Sequence, residues 1–126
     1  MRPSVLVVDD DLGTREVMTT FLHLEGFDGV ATANGQEALT YLRGGGHAAV
    51  ILLDLAMPVM NGWEFRGHQK KDPALASIPV IVITATGSAR ERAGLMGVEE
   101  ILLKPIHLDQ LLSVIACATS GPRTLH

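Results

Sequence analysis

Asp9, Asp10 and Asp11 form one run, and Asp54, Thr84 and Lys104 stand apart from it; each group closes an apolar stretch. Three adjacent carboxylates repel one another unless water solvates them or a cation neutralises them, and the next basic residue is Arg15. A hard divalent cation such as Mg²⁺ takes oxygen ligands and keeps several waters, so two carboxylates and a backbone carbonyl suffice to hold it. Asp10 and Asp54 are the expected direct ligands, with Asp9 acting through water. A carboxylate can also be a nucleophile, forming an acyl phosphate. The incoming phosphoryl charge would then be met by the metal, the Lys104 ammonium and a hydrogen bond from the Thr84 hydroxyl.

Five β-like runs alternate with helical patterns and set these groups in place. Val5 to Val8, Val50 to Leu53, and Pro79 to Thr84 are continuous apolar runs of strands covered on both faces. A weaker strand spans Phe27 to Thr32, and a short one covers Ile101 to Leu103. Val17, Phe21 and Leu24, with Met18 and Leu22 beside them, recur at helical spacing and predict a helix closed by Gly26. Asn34, with Glu37 three residues on, opens a second helix that ends at the Gly44–Gly46 run. A polar helix is expected from Trp63 to about Lys71, and a weak one from Ser88 to Met96, interrupted by Gly94 and capped by Gly97. Leu108, Leu111, Leu112 and Ile115 make the stripe of a final helix. Such βα alternation implies an α/β fold: a mostly parallel sheet, helices on both faces and right-handed crossovers. Open sheets of this kind place their ligands at the carboxyl ends of the strands. Asp9 to Asp11, Asp54, Thr84 and Lys104 all fall there.

The whole run, from the first strand to the last helix, resembles a two-component response-regulator receiver domain of the chemotaxis-regulator type. The matching motifs are Val7-Val8-Asp9-Asp10, Asp54 followed by Met57-Pro58 and Asn61-Gly62, Thr84-Ala85, and Lys104-Pro105. The resemblance implies a flavodoxin-like doubly wound five-stranded sheet in the order 2-1-3-4-5. It implies phosphorylation of Asp54 by the phosphohistidine of a histidine kinase or histidine phosphotransfer protein, dependent on Mg²⁺. The implied metal set is Asp9, Asp10, Asp54 and the backbone carbonyl of Ala56. Thr84 and Lys104 would serve the phosphoryl oxygens, and the Lys104–Pro105 peptide would be cis. Residues 1–119 would form the receiver and 120–126 a tail or the start of a linker.

Three departures from the family pattern fall on its output face. The switch pair implied by the resemblance is Thr84 and an aromatic three residues before the lysine, and that second place holds Ile101. Ile106 stands where Phe is common, and the Thr84-to-Lys104 segment is slightly short. A muted conformational response is therefore expected, at a standalone phosphoacceptor or an atypical receiver rather than a standard transcription-factor arm.

Taken singly, these residues have plainer readings. Asp11 can cap the first helix, Asp54 can be a strand-end turn residue, and Thr84 a β-former. Lys104 can be a snorkelling surface lysine, and Met57 and Met60 core filler. His23, His47, His68, His107 and His126 have no metal-ligand spacing and read as surface or cap residues. Cys117 reads as a small core residue. It is the recurrence of functional groups at four strand ends that singles out the acidic site.

The 126 residues, 47% of them hydrophobic, are enough for one domain with its own core. A net charge of −4 argues against a nucleic-acid partner, and Lys70-Lys71 is too short for a basic patch. A single cysteine excludes an internal disulfide and fits a reducing cytoplasm. No apolar run approaches the about 20 residues of a membrane span. A monomer or weak homodimer with a downstream protein partner is expected. Two other functions fit parts of the pattern. A phosphohydrolase with an aspartyl-phosphate intermediate would use the D-x-D in Asp9 to Asp11, although Gly13 stands where Thr or Val belongs. A non-phosphorylated pseudo-receiver acting by contact alone would explain Ile101. A nucleotide module is disfavoured because no glycine-rich loop follows the first strand.

Overall fold

The computed structural model describes residues 2–85 and 87–120. Strands β1 (Ser4–Val8), β2 (Asp28–Thr32), β3 (Val50–Asp54), β4 (Val80–Thr84) and β5 (Glu100–Leu103) alternate with helices. The helices are α1 (Leu12–Leu24), α2 (Gly35–Arg43), α3 (Gly62–Lys71), α4 (Gly87–Ala93) and α5 (Leu108–Ser120). The sheet order is β2-β1-β3-β4-β5, and every neighbouring pair is parallel. This is the doubly wound, flavodoxin-like arrangement that the family resemblance implied.

The central strands carry unbroken apolar runs because both of their faces are covered. Successive residues go to opposite sides. Leu6, Val8, Ile51, Leu53, Val80 and Val82 pack with Ala38, Leu39 and Leu42 of α2, Phe65 of α3 and Ala93 of α4. Val5, Val7, Val50, Leu52, Ile81 and Ile83 pack with Met18 and Leu22 of α1 and Leu111 and Ile115 of α5. Two helices thus cover one face and three the other.

The helix starts follow local chemistry. Asp11 caps α1, its carboxylate accepting from the Thr14 N–H at 2.8 Å and the Thr14 hydroxyl at 2.7 Å. Asn34 caps α2 through the Glu37 N–H, while the Glu37 carboxylate reaches back to the Ala33 N–H, one residue beyond a standard capping box. Asn61 and Glu64 make the full reciprocal box at α3. Met57 and Met60 pack at the margin of the core, as their plainer reading held.

Three sequence expectations need correction. Only Met18 and Leu22 of the α1 stripe are fully buried, while Val17 and Leu24 are 59% and 79% exposed. The i, i+4 pair Met18–Leu22 seats the helix, and Val17 and Leu24 lie too far around its circumference to reach the sheet. The expected Ser88–Met96 helix is α4 followed by a 3₁₀ turn at Gly94–Met96, ended by Gly97 at φ 67°. Cys117 is exposed, not a core residue. Helix α5 includes Ser120, one residue into the stretch read as tail, and 121–126, with His126, lie outside the described residues. The other four histidines are exposed.

Candidate functional site

Parallel strands bring β1, β3, β4 and β5 to one edge of the sheet, where they end on acidic, hydroxyl and basic groups. Register places Val8 beside Leu53, Asp54 beside Ile83, and Thr84 beside Leu103. The Lys104 N–H donates to the Thr84 carbonyl at 2.8 Å, fixing the lysine backbone against the end of β4. The Lys104–Pro105 peptide is cis.

A cleft of about 670 Å³ opens at this edge, lined among others by Asp10, Asp54, Ala56, Thr84 and Lys104. Asp9, Asp54 and Thr84 are buried, whereas Asp10 is exposed. The Lys104 ammonium lies 3.4 Å from a carboxylate oxygen of Asp9 and 3.6 Å from one of Asp54. The other Asp9 oxygen accepts from the Asp11 N–H at 2.9 Å, and Arg15 donates to the Asp9 carbonyl at 2.8 Å. Asp11 itself is turned to its cap, and the Thr14 hydrogen bonds hold its carboxyl below the usual aspartate value.

Burial raises the Asp54 pKa above 3.8, and the charges of Asp9 and Asp10 push it the same way. The Lys104 charge and the Ala56 N–H, which donates to the carboxylate, act in opposition without cancelling the shift. For Lys104, burial alone would lower the pKa, but Asp54 and Asp9 outweigh it and hold the value above 10.5. The ammonium therefore stays charged at neutral pH.

Ligand oxygens of Asp9, Asp10 and Asp54 lie within 4.8 Å of one another. An all-oxygen donor set of three converging carboxylates is matched to a hard divalent cation. The residues present fit Mg²⁺. Of the two expected switch positions, Thr84 is in the cleft wall, but Ile101 is not among the lining residues. It is half-buried against the core side that holds α4.

Asn61, of the Asn61-Gly62 motif, lines the cleft together with Trp63 and Ala89, whose places there no sequence pattern announced. Arg66 and Gln69 are buried on α3, where polarity argued for solvent. Arg66 donates to the Met96 and Gly97 carbonyls at 3.1 and 2.8 Å, and Gln69 to those of Leu75 and Ile78 at 3.0 Å each. No sequence period announces a polar side chain buried to satisfy backbone carbonyls.

Comparison with known proteins agrees with this geometry. The profile of the response regulator receiver domain matches residues 5–116. The chain belongs to that family. This receiver is 37% identical over 113 residues to a protein of Haemophilus influenzae named transcriptional regulatory protein CpxR homolog. That match covers 88% of the receiver and 48% of the relative, so the chain spans about half the relative's length. A response regulator receiver protein from Pseudomonas putida superposes with a TM-score of 0.84 at 30% identity, covering 92% of this chain and 97% of its own. The chemotaxis protein CheY4 of Vibrio cholerae gives 0.83 at 26% identity, covering 92% and 98%. Among the described residues no helix is long and apolar enough to cross a membrane.

Proposed function

We propose that this receiver accepts a phosphoryl group on Asp54 from the phosphohistidine of a histidine kinase or histidine phosphotransfer protein, in a Mg²⁺-dependent step. The observation that carries the reading is the Lys104 ammonium, within 3.6 Å of both Asp9 and Asp54 at the floor of a cleft walled by Thr84. An Asp54 carboxylate oxygen forms the new P–O bond as the P–N bond breaks, and the electron pair stays with the imidazole nitrogen. Lys104 neutralises charge on the phosphoryl oxygens, and the Thr84 hydroxyl donates to one of them. Asp9, Asp10, Asp54 and the Ala56 carbonyl would hold Mg²⁺, which when bound supplies positive charge to the same oxygens.

Attack requires Asp54 ionised. Lys104 supports that form against burial, so the lysine serves both the resting nucleophile and the transferred group. Hydrolysis of the acyl phosphate returns the carboxylate, so the chemistry acts on the protein itself and not on an external substrate. The Haemophilus relative is named a transcriptional regulator. For this chain we propose output through a protein contact on the α4 side of the sheet, with no direct role in nucleic-acid binding. Intact mass after treatment with acetyl phosphate and Mg²⁺ tests the reading. One phosphoryl group should add to the wild type and none to Asp54→Asn. Equal labelling of the two refutes it.

A further inference from the structure

We propose that the Trp63–Arg92 contact couples the phosphoacceptor cleft to α4, in place of the aromatic side chain that β5 lacks at Ile101. The inference rests on Asp54 being the phosphoacceptor. Trp63, in the first turn of α3, lines the cleft with Asp54, Thr84 and Lys104 and packs on the core beneath it. The guanidinium carbon of Arg92, on α4, lies 4.5 Å from the centroid of its ring, well inside cation–π range. Ala89, one turn earlier on α4, lines the same cleft.

The attachment of α4 is lopsided. Its only buried residue is Ala93, so little apolar contact holds the helix down. Just beyond it, the Met96 and Gly97 carbonyls are gripped by buried Arg66. The segment is therefore fixed at its carboxyl end, and the stacking of exposed Arg92 on half-buried Trp63 steadies it in the middle. A contact of that strength is one a change of charge can tip. Phosphorylation replaces the single negative charge of the Asp54 carboxylate with an acyl phosphate that carries close to two, in the cleft that Trp63 lines, and the added charge favours a cation held against that ring. Ile101 brings to the same region only an aliphatic side chain. Coupling of this kind is reciprocal: a contact tightened by the phosphoryl group also tightens the hold on that group.

The test binds beryllofluoride with Mg²⁺ to the full chain as wild type, Arg92→Ala, Arg92→Lys and Asp54→Asn. It reads affinity, Mg²⁺ affinity alone, and amide exchange over 87–96. Arg92→Ala should weaken beryllofluoride binding about two- to fivefold, the size of an exposed cation–π contact. It should leave Mg²⁺ affinity unchanged and abolish the protection that α4 gains in the wild type, and Arg92→Lys should restore part of both. Wild-type affinity or wild-type α4 protection in Arg92→Ala overturns the coupling. Equal binding to wild type and Asp54→Asn instead refutes Asp54 as the acceptor, and the coupling falls with it.

Discussion

Burial raises the Asp54 pKa against the pull of the Lys104 charge, and burial prevails, leaving the value above 3.8. A carboxyl whose folded value is raised favours the folded state most when protonated. In the metal-free protein this contribution is full below 3.8 and is lost as pH rises through the raised value. Lys104 behaves alike at the other end of the scale: its contribution is present below 10.5 and disappears as pH rises through its own raised value. Asp54→Asn should therefore be at least as stable as the wild type at neutral pH without metal, and denaturant unfolding across the acid range should lose the Asp54 component. A clear loss of stability at neutral pH would contradict this. The acids, Thr84 and Lys104 were legible because each terminates an apolar run. Trp63, Arg66 and Gln69 were not: Trp63 and Arg66 meet Arg92 and the Met96 and Gly97 carbonyls far along the chain, and Gln69 turns to the Leu75 and Ile78 carbonyls of the loop after α3, which follow no helical period.

Helix α3 is the element on which the site depends most closely. A Cβ on Gly62 would sit 2.5 Å from the Asp54 carbonyl and 2.8 Å from the Leu55 Cα. Only glycine lets α3 start against the strand end that bears Asp54. Gly62→Ala must push backbone from backbone and should cost about 1–3 kcal/mol, in the range of overpacked cores. It should also weaken Mg²⁺ binding, because Asp54 moves with its carbonyl. Chemical unfolding and a Mg²⁺ titration check the two parts, and wild-type values in both would contradict the packing argument. Element order and type could be read from alternating apolar runs and turn residues. The seating of α1 could not, because Val17, Phe21 and Leu24 obey the same period as Met18 and Leu22, and only contact with the sheet decides which of them it buries. Cys117 was misjudged for the same reason.

Across the whole molecule, five parallel strands set four functional ends, two acidic, one hydroxyl and one basic, on one edge, and the two helical layers leave that edge open. Because the acidic cluster draws on the ends of β1 and β3, a cation held by it would tie the two strand ends together. Mg²⁺ should therefore stabilise the entire domain, by about 2.7 kcal/mol at one hundred times its dissociation constant. Thermal unfolding should show a rise in Tm for the wild type that is much reduced in Asp10→Ala, and an equal rise in both would contradict the assigned ligands. The fold-level prediction succeeded because continuous apolar strands demand cover on both faces, and a parallel sheet supplies it. Phosphoryl transfer to Asp54 is tested most directly by hydride reduction of the phosphodonor-treated protein, which converts an aspartyl phosphate to homoserine, followed by tandem mass spectrometry of the peptides. Homoserine is expected at position 54, with unmodified aspartate at positions 9, 10 and 11. Homoserine at any of those three, with residue 54 unchanged, would contradict it.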